Sequence, residues 1–177
     1  MAKSTWAVDP AHSEIGFSAK HMMFTTVRGS FKKFDATVAA DPDDLSTADI
    51  EFTIDAASVD TRNEDRDNHL KGADFFDVEN HPTITFKATD IKKTADQEYD
   101  MTGDVTIRGV TKPVTFHVVY NGTGKNPWGA TVAGFEATAT ISRKDFGLTY
   151  NAALETGGVL ISDQVKLNVE IQASKQA

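Results

Sequence analysis

Arg62, Arg66 and His69 are the residues whose types and spacing could act on a shared chemical group. They lie in the stretch Ser58 to Phe86, SVDTRNEDRDNHLKGADFFDVENHPTITF. Thr61-Arg62-Asn63-Glu64 fits a capping box, with Thr61 as N-cap and Glu64 at N3, and Gly72 stands where a C′ glycine would end the helix. At helical spacing Arg62, Arg66, His69, Leu70 and Ala73 share one side, and Glu64, Asp67 and Lys71 share the other. Two arginines at i, i+4 repel by a few tenths of a kcal/mol in a bare helix. An anion between them would relieve that repulsion, because guanidinium forks suit phosphate or carboxylate. The competing account is local pairing, Asp65 with His69 or the arginines with other carboxylates. Phe75, Phe76, Pro82 and Phe86 follow at once as an aromatic anchor for the helix.

Other chemistries find less support. There is no HExxH, GxSxG or GxGxxG. Gly122-Thr123-Gly124-Lys125 fails as a P-loop, since Asn126 replaces the required hydroxyl and Val119 the first glycine. The five histidines show no metal-ligand spacing. His117 falls on the polar face of its strand, whereas His21 shares parity with Ile15 and Phe17, which predicts an inward position near the barrel mouth; the competing account is a buried histidine satisfied by a neighbouring backbone group. No nucleophile accompanies His21 or His69, which disfavours an enzyme using either as base. The absence of cysteine removes disulfides and thiolate chemistry. A net charge of −8 disfavours nucleic acid and anionic membrane surfaces, so an anionic group must be met by a local cluster of cations.

The elements around this segment alternate apolar and polar with period two. Ile15, Phe17, Ala19 and His21 share one face, and Ala48, Ile50, Phe52, Ile54 and Ala56 another. Tyr99, Met101, Gly103, Val105 and Ile107 repeat the pattern, as do Val114, Phe116, Val118 and Tyr120, and then a long last run of Val159, Ile161, Val165, Leu167, Val169 and Ile171. This is the signature of antiparallel strands with one buried and one wet face. About eight such strands, with turns at Asp41–Asp44, Gly109–Pro113 and Asn126–Gly129, predict an all-β barrel or sandwich. The inward positions include Ala19, Ala36, Ala40, Ala48, Ala56, Ala88, Gly103, Ala137 and Ala139. Either these leave a hollow, or they interdigitate with large residues and fill the barrel.

The 177 residues predict one domain over 1–177. No run reaches the length of a membrane span. The opening MAKSTWAVDP lacks the apolar stretch of a secretory signal, which predicts a cytoplasmic location.

Four blocks, in order, resemble the YceI-like proteins, also known as an uncharacterised protein family. They are VDPAHSEIGFSAKHMMFTTVRGSF from Val8, DTRNEDRDNHLKGADFFDVENHPTITF from Asp60, GDVTIRGVTKPVTF from Gly103 and ISRKDFGLTYNAALETGGVLISDQVKL from Ile141. The resemblance implies an eight-stranded antiparallel lipocalin-like barrel with a short helical insert and an elongated apolar cavity. It also implies binding of a polyisoprenoid or similar long-chain amphiphile, tail inside and head near the mouth. The expected function is therefore a non-enzymatic carrier without cofactor or metal. A lipid-modifying enzyme and a filled structural barrel are the alternatives. Expected tail contacts are Ile15, Phe17, Met22, Met23, Phe24, Phe34, Ile50, Phe52 and Phe86. Expected head contacts are His21, Arg28, Arg62, Arg66, His69, Arg143 and Asn151, with Arg28 and Arg143 chosen for their place in the family blocks. Long edge strands and the family's habit allow a homodimer.

Overall fold

The computed structural model describes residues 3–22, 24–150 and 161–176. The period-two segments form the strands β1 (Ser4–Val8), β2 (Glu14–His21), β3 (Thr25–Phe31), β4 (Phe34–Asp41), β5 (Asp44–Asp55) and β6 (Val59–Asp60). One helix, α1 (Glu64–Lys71), separates these from β7 (Thr83–Ala95), β8 (Glu98–Ile107), β9 (Val110–Lys125), β10 (Thr131–Ser142) and β11 (Gln164–Lys175). All pairings are antiparallel, in the order β1-β4-β5-β7-β8-β9-β10-β11-β2-β3-β6, and β1 also pairs with β11. That last pairing closes the sheet into an eight-stranded, lipocalin-like barrel.

Eleven strands make eight barrel positions because three positions are broken. β1 lies against Ala173–Lys175 of β11, and β2 lies against Lys166–Glu170 of the same strand. A 3₁₀ turn at Pro10–His12 joins the two. Lys32 and Lys33 separate β3 from β4, and a second 3₁₀ turn, Ala56–Ser58, separates β5 from β6. Closure leaves few of the long free edges that favoured a dimer.

The hairpin expected at Gly109–Pro113 is tighter than that span. Ile107 pairs with Val110, and Arg108 and Gly109 both have positive φ, at 51° and 75°. This is the type I′ geometry that matches strand twist.

Inward side chains form two clusters. One is Trp6, Ala40, Leu45, Ile91, Tyr99, Ala133 and Ala173, all buried. Here the alanines stand around the Trp6 indole, whose Nε1 donates to the Ala40 carbonyl at 3.3 Å, and this end is filled. The second cluster, from Ile15 and Phe31 through Phe86 and Phe116 to Ile141, surrounds a hollow. Small residues therefore do both things foreseen for them. Ala40 makes room for an indole, while Ala19 and Ala137 border empty space. Gly103 does a third: a Cβ there would lie 2.4 Å from Cε1 of Phe86, so its absence lets that ring lie flat on the strand.

The helix differs from the sequence expectation at both ends. Its N-cap is Asn63, whose side chain accepts from the Arg66 N–H at 2.9 Å. Thr61 does not cap: its hydroxyl oxygen accepts from Arg66 Nε at 2.7 Å, and its N–H and hydroxyl both donate to Asp67 Oδ1, at 2.8 and 2.6 Å. Gly72 is the C-cap in an extended conformation, φ −80° and ψ 178°, so left-handed freedom is not used there.

Candidate functional site

A cavity of about 530 Å³ occupies the end of the barrel away from Trp6. That volume lies within the range of small-molecule sites. β2, β5, β7, β8, β9, β10 and β11 all contribute inward side chains, among them Phe17, Phe52, Phe86, Met101, Phe116, Ala137 and Leu167. The wall is overwhelmingly apolar. Several of these residues, such as Phe17, Phe52, Met101 and Leu167, are only half-buried although they face the interior. They keep accessible surface because the space in front of them is empty. Gly29 matters here: a Cβ would come within 2.5 Å of Cζ of its cross-strand partner Phe17. The bare backbone gives the Phe17 ring its position on the wall.

Polar groups gather where α1 crosses the barrel end. Lys20, His21, Thr61, Asp65, Arg66, His69, Arg143 and Tyr150 border the cavity. Arg66 is aimed by Thr61, with Nε donating to Thr61 Oγ1 and Nη2 to the Thr61 carbonyl, both at 2.7 Å. Thr61 thus relays between Asp67 and Arg66, which anchors one edge of the guanidinium. His69 Nε2 lies 3.0 Å from Asp74 Oδ2, and its ring packs edge-on against Phe75 and Tyr150. Arg108, at the β8–β9 turn, donates to the Phe75 carbonyl at 3.0 Å and so fixes the aromatic anchor beneath the helix.

Arg143 is buried, and its donors go to the backbone. Nε donates to the Ser162 carbonyl at 2.8 Å, Nη1 to those of Leu148 and Tyr150 at 2.9 and 3.2 Å, and Nη2 to that of Ile161 at 3.3 Å. It ties together chain segments far apart in sequence. Burial pushes its pKa down, and the nearby Asp163 charge opposes that shift. Asp163 itself is held below the ordinary carboxylate value, chiefly by a hydrogen bond from the Ser142 hydroxyl.

The structure sorts the expected contacts by position. Ile15, Phe17, His21, Phe52, Arg66, His69, Phe86 and Arg143 are in the cavity wall. Six lie off it, for separate reasons. Met22 and Phe24 belong to the β2–β3 turn and are exposed. Arg28 pairs with Ser18 on the outward parity of its strand. Phe34 shares the inward face with Ile54 and stacks on Phe52 at a ring distance of 6.3 Å, within the core cluster but outside the cavity lining. Ile50 packs between the two clusters, beyond the cavity floor. Arg62 precedes the helix with φ 64° and is exposed, so the expected Arg62–Arg66 helix face does not form. Met23 and Asn151 lie outside the described residues. Sequence reasoning missed Lys20, Thr61, Asp65 and Tyr150. For Thr61 and Asp65 the signal was present in the same segment, but Thr61 had been assigned to capping and Asp65 to pairing with His69.

Residues 6–173 match the model of the YceI-like domain. The chain belongs to the YceI-like family. Within it, a UPF0312 protein of Staphylococcus epidermidis is 42% identical over 167 residues, 94% of this chain and 95% of that protein. Among solved YceI-like structures, the Campylobacter jejuni YCEI protein superposes with a TM-score of 0.78 at 32% identity, over 89% of this chain and 90% of its own. Burkholderia cenocepacia BcnA gives 0.82 at 28% identity, over 93% and 98%. A polyisoprenoid binding domain from Saccharophagus degradans shares the fold, with a TM-score of 0.68 at 13% identity, over 98% and 99%. Among the described residues, no helix is long and apolar enough to cross a membrane.

Proposed function

We propose that this protein is a non-enzymatic carrier that holds the tail of a long-chain amphiphile, a polyisoprenoid or fatty-acyl lipid, in the barrel cavity. The observation that carries the reading is the half-exposed apolar wall around about 530 Å³ of empty space. Withdrawing about twenty carbons from water releases on the order of 15 kcal/mol gross at ~0.8 kcal/mol per CH₂. Ordering and association costs reduce this heavily. The name of the Saccharophagus degradans domain points to the isoprenoid class.

The head group lies at the polar rim in this reading. Arg66, oriented by Thr61, offers its remaining guanidinium edge, with Lys20 and His21 beside the same opening. Arg143 acts on the scaffold, since its donors are engaged by backbone carbonyls. His69 is held between Asp74 and two aromatic rings, an arrangement suited to positioning rather than to proton transfer.

Native mass spectrometry of the purified protein, followed by solvent extraction, tests the reading. A stoichiometric prenyl or acyl lipid is expected. A protein that arrives empty and refuses both classes in titration refutes it. Arg66→Ala should weaken an anionic lipid at least tenfold more than the neutral alcohol of the same chain, and equal losses would remove Arg66 from the head-group site.

A further inference from the structure

We infer that the β2–β3 turn is a membrane-docking tip, and that it seats the mouth of the cavity on an anionic lipid bilayer. The docking stands on the surface itself; only its purpose, delivery of a lipid into the cavity, rests on the carrier reading.

Three large hydrophobic residues are exposed among the described residues: Met22 at 40%, Phe24 at 78% and Trp128 at 87%. Trp128 sits in the turn between β9 and β10, at the Trp6 end. Met22 and Phe24 share one turn that immediately follows His21, a residue of the cavity wall. The Phe24 N–H donates to the His21 carbonyl at 3.1 Å, which holds the turn closed, and the side chains of Met22 and Phe24 are exposed. An exposed aromatic beside an apolar opening is how a soluble shell reaches into a bilayer without exposing its cargo to water.

Charge points to the same partner. Ser18 is paired with Arg28 on one side and Lys166 on the other, and Lys20 is one outward rung nearer the turn. Lys20, Arg28 and Lys166 are all exposed, and none forms an ion pair among the described residues. The carboxylates Glu14 and Glu170 oppose each other two outward rungs farther from the turn. Asp163 is engaged by Ser142 and by the Lys144 N–H. Three cations without an ion pair among the described residues, Lys20 with its ammonium on the Thr26 hydroxyl at 2.9 Å, thus stand out under an apolar tip on a chain of net charge −8. The remote acids are screened beyond a Debye length of about 8–10 Å, so the patch at the contact decides the sign of the interaction. Apolar residues entering the acyl boundary while Lys and Arg reach lipid phosphates is the interfacial pattern.

Co-sedimentation with vesicles tests this. Wild-type protein should pellet at least fivefold more with phosphatidylglycerol/phosphatidylcholine vesicles than with phosphatidylcholine alone, and less at about 500 mM salt than at about 50 mM. Met22→Ser with Phe24→Ser should reduce the bound fraction about tenfold. Lys20→Ser, Arg28→Ser and Lys166→Ser together should abolish the preference for the anionic vesicles. Trp128→Ser should change nothing. Dansylated undecanoic acid titrated without vesicles should bind the Met22/Phe24 variant as it binds wild type, which separates a docking defect from a lost cavity. Failure of that probe with wild type while docking persists would count against the carrier reading alone. Vesicle binding that is absent, or unchanged in the Met22/Phe24 variant, overturns the inference. So does a dimer in sedimentation velocity that Phe24→Ser dissolves while vesicles are ignored, since the tip would then meet a second copy of this chain.

Discussion

The two ends of this barrel are built from one alternation and come out opposite. At one end Ala40, Ala133 and Ala173 close around Trp6, and the interior is solid. At the other, Ala19 and Ala137 stand among Phe17, Phe52 and Leu167, and the interior is empty. Alanine content does not distinguish them. The difference is where the large side chains go: at one end the Trp6 indole enters the ring with Leu45, Ile91 and Tyr99 and turns small neighbours into packing partners, and at the other the rings of Phe17, Phe52 and Phe86 line the wall, so small neighbours border the void. Void in a barrel is thus a property of the set of residues at one level, not of any residue in it.

The comparison is broken most directly by removing the plug. Trp6→Ala should cost about 3–5 kcal/mol in urea unfolding, the range for deleting a buried aromatic. Leu167→Ala on the hollow wall should cost under about 2 kcal/mol, because one side of that residue already lacks partner atoms. Equal losses would mean that the hollow is closed in solution. Next comes Arg143→Met, which removes the guanidinium donors from the carbonyls of Leu148, Tyr150, Ile161 and Ser162 and should cost on the order of 3 kcal/mol by the same measurement.

Filling the hollow sharpens the contrast. Ala137→Phe should lower lipid binding at least tenfold in titration, while stability moves by less than about 1 kcal/mol because the ring enters existing space. Unimpaired binding would detach the cavity from the ligand. The smallest effect is a pH dependence at Asp163. Its carboxyl is held below the ordinary value by the Ser142 hydrogen bond, so it stabilises the fold above the unfolded pKa of about 3.9. That contribution is lost as pH falls through the lower, folded value. Wild type should be the more stable form near neutrality, and acid titrations of wild type and Asp163→Asn should converge below that window.

Strand parity was legible in the sequence because alternation is local. Ile15, Phe17 and His21 face the cavity as their spacing required. The family blocks carried the barrel and its hollow, which spacing alone left undecided. The helix was less legible, since Thr61-x-x-Glu64 and Asn63-x-x-Arg66 are overlapping capping options and a tertiary bond from Thr61 to Asp67 selects the second. Arg62 was lost from the site for the same reason: one positive φ before the helix carries it outward. Arg143 shows the reverse limit. Its place in a family block marked it as important, yet its role depends on carbonyls of Leu148, Tyr150, Ile161 and Ser162 that no local pattern brings together.

The pairing of β1 with β11 has a consequence for the order in which the protein matures during synthesis. Trp6 lies opposite Lys175, so the ring stays an open sheet on the ribosome until β11 has emerged. Until then the indole lacks Ala173, one wall of its socket. Such distant pairing makes the final zip slow compared with local hairpins. The same adjacency means that a short linker from residue 176 to residue 3, with new ends cut at the Trp128 turn, should yield a circular permutant in which the plug is assembled early in translation.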